Sequence, residues 1–81
     1  MNIEDFFDLE NSYSDGNMLE YNRILRRLAK EYLKDNKVLT DIIDTIQAST
    51  KLDKLRKSTF MHSVERIKKE AGMIRNGLYD E

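Results

Sequence analysis

Cysteine and proline are both missing from this 81-residue chain, glycine occurs three times and histidine once. Without cysteine there is no disulfide to staple a small fold and no thiolate for chemistry. The same absence fits a reducing compartment, so a cytoplasmic location is expected. With no proline and three scattered glycines, little interrupts a helix, and the abundant Leu, Lys, Arg and Glu favour one. Long apolar runs are lacking too. None approaches the roughly 20 residues that span a bilayer, and the acidic N-terminus is the reverse of a signal peptide's basic start. Neither export nor membrane insertion is expected.

The single histidine limits catalysis. His62 and Glu65 share a helical surface if the segment is helical, but a transition-metal site needs three or four ligands. No metal and no cofactor are therefore expected. Ser58 or Ser63 beside His62 lacks the third member of a triad and the strand-turn-helix elbow that would expose a nucleophile. Asp15-Gly16 fits the middle of a calcium loop, yet that register puts Tyr13 at a ligand position and Asn22 where the closing Glu belongs. Gly16, Gly72 and Gly77 are too far apart to form a phosphate-cradling loop. The expectation is a protein that is not an enzyme.

What the chain does have is a charge split by position. Residues 1–20 hold six acids (Glu4, Asp5, Asp8, Glu10, Asp15, Glu20) and no Lys or Arg. The rest holds all 14 basic residues against nine acids, so a formal total of −1 conceals a strongly polar molecule. Phe6 and Phe7 lie inside the acidic arm.

Hydrophobic spacing predicts an all-α protein: a small antiparallel bundle of three main helices with a short N-terminal helical arm. The arm and its linker take residues 1–16, with helical spacing over Asn2–Glu10 and turn composition over Asn11–Gly16. The helical domain takes residues 17–78, and 79–81 fray. Asn17 and Glu20 mark the start of the first main helix, whose stripe is Met18, Tyr21, Leu25, Leu28 and Tyr32, widened by Ile24, Ala29 and Leu33. The second runs over about Lys37–Ala48, with Val38, Leu39, Ile42, Ile43 and Ile46 inward. The third begins at a Thr50–Asp53 capping signal, with Ser49 as a rival cap, and stops at Asn76–Gly77. Leu52 and Leu55 stand roughly 110° away from the Phe60–Val64–Ile67–Ala71–Ile74–Leu78 stripe. Either the helix breaks near Lys57–Thr59, or it is continuous and each face meets a different neighbour. The core is expected around Leu25, Leu28, Ile42, Ile43, Ile46, Ile67 and Ile74.

A chain this short buries only about 60–65% of its unfolded surface. The second apolar face, with Met61 and Met73 as adaptable contacts, therefore points to a homodimer. The favoured function is a small protein-binding module that regulates a larger protein or assembly by occlusion or scaffolding. In that reading Phe6 and Phe7 are buried anchors, and Asp5, Asp8 and Glu10 orient the arm. Arg23, Arg27 and Lys30, with Lys54 and Lys57, form the facing surface. The bland version closes the arm on the chain's own helices. The alternative function is a small dimeric DNA-binding regulator. There Lys51, Lys54, Arg56 and Lys57 touch phosphates from a helix-turn-helix-like segment. The segment lacks a turn glycine and is poor in the residue types suited to reading base edges.

Overall fold

The computed structural model describes residues 1–77. They form a compact all-α bundle of four helices: α1 (Ile3–Ser14), α2 (Met18–Lys34), α3 (Lys37–Ala48) and α4 (Lys54–Arg75). The expectations for Leu78 and for a frayed 79–81 lie outside the described residues.

α1 starts with a capping box that the Asn2-x-x-Asp5 spacing encodes. Asn2 Oδ1 accepts the backbone N–H of Glu4 and Asp5 at 3.0 and 3.2 Å, and Asn2 N–H donates to Asp5 Oδ2 at 2.9 Å. Glu4 and Asp5 also set negative charge at the positive end of the helix. The helix continues to Ser14, so the predicted Asn11–Gly16 turn or linker shortens to a turn at Asp15–Gly16. Inward Leu9 and Ser12, and Tyr13 packed on Tyr21 at 5.7 Å, outweigh the weak helix propensity of Asn-Ser-Tyr-Ser. The stop is a Schellman turn. Asn17 N–H bonds to Ser12 O at 2.9 Å and Gly16 N–H to Tyr13 O at 3.1 Å, with Gly16 at φ +72°.

α2 begins where expected, with Asn17 Oδ1 accepting the Glu20 N–H at 3.2 Å. Its inward face is Tyr21, Ile24, Leu25, Leu28 and Ala29, whereas Met18, the first residue of the predicted stripe, is 46% exposed. The contacts Asp5–Arg27 and Tyr13–Tyr21 pair the start of α1 with the end of α2 and the reverse, so these two helices run in opposite directions.

α3 buries Leu39, Ile42 and Ile46, with Ile43 at the edge of the core. α4 begins later than predicted. Asp53, not Thr50, is the N-cap: its Oδ1 accepts the Arg56 N–H at 2.7 Å. The reason is Leu52, which is 7% exposed and drawn into the core from the connecting loop, so the chain cannot yet be helical along its expected face. From Lys54 the helix is continuous, with no break at Lys57–Thr59. It buries Phe60, Val64, Ile67 and Ala71 at alternating four- and three-residue steps. It ends at Asn76 and Gly77, the latter at φ +72°.

Phe6, Leu28, Ile46, Phe60, Val64 and Ile67 are wholly inaccessible and form the centre of the core. Of the seven core positions expected, Ile43 and Ile74 are half-buried and the rest buried. The core also takes in residues outside those seven, among them Phe6, Leu9, Tyr21, Leu39, Leu52, Phe60 and Val64.

Candidate protein-binding surface

The acidic arm lies against the chain's own basic helices. Phe6 is 0% exposed, with its ring 5.8 Å from that of Phe60. Phe7 is half-buried, meets Phe60 edge-on at 5.0 Å and carries the Arg56 guanidinium over its ring at 5.5 Å. Ion pairs clamp the rim. Arg27 reaches Asp5 at 2.8 Å and Glu31 at 3.3 Å, Arg56 approaches Glu10 at 3.8 Å, and the Met1 ammonium meets Glu31 at 2.9 Å. Burial pushes the Asp5 carboxyl up, but the hydrogen bond from Arg27, the Asn2 N–H and the charge on Arg27 outweigh it and hold Asp5 below its ordinary value. The Asp5 hydrogen bond correspondingly raises Arg27. Asp8 is exposed.

Arg23, Arg27 and Lys30 are brought together on the outward side of α2. Helical spacing places residues 19, 22, 23, 26, 27 and 30 along one ridge. They line a shallow groove of about 520 Å³ formed by Leu19, Asn22, Arg23, Arg26, Arg27 and Lys30. Arg23 pairs with Glu20 one turn earlier. The hydrogen bond from Arg23 lowers the Glu20 carboxyl and that bond raises Arg23 in turn. Leu19 is 87% exposed at the head of this ridge. It is the residue the hydrophobic stripe overlooked. Its signal was available: an apolar side chain on the polar face of an amphipathic helix.

The other basic group is divided by the fold. Lys57 Nζ donates to the Gln47 carbonyl at 2.9 Å, tying α4 to the end of α3, and Arg56 is held by Glu10 and Phe7. Lys51 and Lys54 are exposed beside Leu55, itself 78% exposed.

A separate cleft of about 200 Å³ opens among α1, α2 and α4, with Leu9, Tyr13 and Tyr21 on one side and His62, Ser63 and Arg66 on the other. His62 and Ser63 are neighbours here, but Ser63 Oγ donates to the Thr59 carbonyl at 3.4 Å, so its proton is directed into the helix backbone. Among the described residues no group of three or more His, Cys, Asp or Glu side chains is placed to hold a metal ion, and no helix is long and apolar enough to cross a membrane.

Comparison with protein-family models, with curated proteins and with solved structures finds no match to this chain.

Proposed function

We propose that this chain is a small, non-catalytic protein-binding module that acts on a larger protein by occlusion or scaffolding, and that it docks through the outward ridge of α2. The observation that carries the reading is Leu19, 87% exposed at the head of a groove walled by Arg23, Arg26, Arg27 and Lys30. A solvated leucine at such a position contributes nothing to the core, whereas an apolar anchor ringed by polar side chains is the usual anatomy of a binding surface. The role first given to Phe6 and Phe7 moves with it: Phe6 supports the bundle from inside, and the partner-facing anchor shifts to α2.

The DNA-binding alternative draws less support, since Arg56 and Lys57 are engaged within the fold. The homodimer expectation loses most of its motive. Leu52 is buried in its own subunit and Met61 packs against the same core, leaving Leu55 as the exposed part of that face.

Affinity capture with the tagged full chain tests the proposal. Leu19→Asp is expected to abolish retention of a specific protein, while Leu55→Asp keeps it and both variants melt like wild type. Undiminished capture by Leu19→Asp, or no specific protein retained by any form, contradicts the reading.

A further inference from the structure

The chain holds six asparagines, and Asn76 alone is followed by glycine. That pair forms the end of α4. Asn76 is the C-cap at φ −83° and ψ 2°, Gly77 follows at φ +72°, and both are exposed. The other five asparagines precede Ile3, Ser12, Met18, Arg23 and Lys37, whose side chains crowd the peptide nitrogen. Two of the five also hold helix starts, since Asn2 and Asn17 accept backbone N–H groups through Oδ1.

We propose that Asn76 is a site of spontaneous deamidation, and that the folded end of α4 sets its rate. The Gly77 amide nitrogen gives up its proton to solvent hydroxide and attacks the Asn76 side-chain carbonyl carbon, Cγ. A new C–N bond forms there, the bond from Cγ to the amide nitrogen breaks, and ammonia leaves. The result is a five-membered cyclic imide. Water then adds to one of its two carbonyls and opens the ring. Opening on one side gives aspartate. Opening on the other gives isoaspartate, in which the main chain runs through the side-chain carbons. In sum, Asn76 and one water become an acid and ammonia, with no oxidant, reductant or enzyme required. Glycine favours the step because no Cβ shields its nitrogen.

Geometry supplies the brake. Ring closure needs the Gly77 nitrogen on the same side of the Cα–C bond as Cβ, whereas ψ 2° leaves it eclipsing the main-chain nitrogen of Asn76. The Gly77 N–H is also held by Ile74 O, and the Asn76 N–H by Gly72 O, each at 3.1 Å. The reaction therefore proceeds from molecules whose last turn has opened, and helix ends open far more readily than a whole fold. Asp15–Gly16 shows what a tighter cap does. Its backbone is alike, at φ −79° and ψ −5° with Gly16 at φ +72°, but Asn17 N–H closes onto Ser12 O at 2.9 Å and Tyr13 packs on Tyr21. Its side chain is a carboxylate, a poorer electrophile than an amide. Asn76 is the residue that reacts.

The product undoes the brake. A carboxylate at the negative end of α4 is disfavoured by the helix dipole. The extra main-chain carbon of isoaspartate moves the Gly77 N–H out of register with Ile74 O. The converted chain carries one negative charge more than its formal −1. The end of α4 thereby acts as a one-way chemical timer that marks older copies of the protein by charge and by a loosened last turn.

Peptide mapping by mass spectrometry, after incubating the full chain in mildly alkaline buffer both folded and in urea, tests the proposal. The mass gain of an amide-to-acid conversion is expected at Asn76 before any other asparagine, as two products that separate chromatographically, and more slowly in the folded chain than in urea. Gly72→Ala separates gating from chemistry. A Cβ at Gly72 meets nothing within 4 Å, so alanine stiffens the last turn. It is expected to slow conversion of the folded chain about two- to fivefold and to leave the rate in urea unchanged. Asn76→Gln is expected to stop the gain at that position, because its ring closure is six-membered and slow. Conversion in urea with none in the folded chain, or another asparagine reacting first, overturns the site. Equal rates folded and in urea, or a folded rate that Gly72→Ala does not lower, overturn control by the helix end.

Discussion

Phe6 and Phe7 are neighbours in the chain and unequal in the fold. Phe6 is sealed against Phe60, whereas Phe7 keeps one edge at the surface beneath Arg56. Truncating a buried aromatic removes its transfer free energy and leaves a cavity, about 3–5 kcal/mol together. Small domains hold only about 5–15 kcal/mol in total, so Phe6→Ala is expected to lose most of its folded population on mild warming. Phe7→Ala forfeits partial burial and one ring pair, about 1–2 kcal/mol. That corresponds to a melting shift of roughly 4–16 °C for a domain of this size. Thermal melts followed by helical dichroism check both values, and equal losses would refute the division of roles. This difference was not legible in the sequence. Two adjacent aromatics on a short helix point about 100° apart, and only the position of Phe60 determines which of them is enclosed.

At the scale of elements, the inward faces of α2, α3 and the body of α4 were readable because their apolar residues recur at steps of three and four. The ends were harder. Thr50–Asp53 and Asn2–Asp5 have the same spacing, and only the second became a capping box. The outcome at Thr50 was decided by Leu52, whose burial from the loop is a tertiary effect that spacing does not contain. The same residue explains why the two apolar faces of the predicted third helix did not both survive: Leu52 left the helix and Leu55 was left in water. The site was legible in part. Arg23, Arg27 and Lys30 were readable as one surface from spacing alone, but the capture of Arg56 by Glu10 and Phe7 depends on how α1 lies on α4. A direct check on the element boundary is to compare caps. Asp53→Ala is expected to lower stability by about 1 kcal/mol, read as a shifted urea midpoint with unchanged slope. Thr50→Ala, at an exposed loop position, is expected to stay within about 0.5 kcal/mol of wild type. The reverse order would place the helix start back at Thr50.

At the scale of the whole molecule, the acidic first quarter folds onto the basic remainder, so much of the charge split is satisfied internally. Of the ion pairs Asp5–Arg27 and Glu10–Arg56, the first is the better formed, since the second is 3.8 Å long and leaves Glu10 Oε2 buried without a hydrogen-bond partner. Folding holds the Asp5 carboxyl below its ordinary value of 3.8, so the native state favours the charged form. The resulting stability is fully present above the unfolded value and is lost as pH falls through the folded one. Arg27 is 51% exposed, which limits the pair to about 1 kcal/mol or less through solvent screening. Asp5→Asn keeps the shape of the side chain and removes the charge. At pH 7 its urea midpoint is expected to lie below that of wild type. Below about pH 4 the two midpoints should converge, because protonation removes from wild type what the substitution has already removed. A gap that stays constant from pH 7 to pH 2.5 would show that Asp5 acts through packing or capping alone and that its charge does not help hold the arm closed.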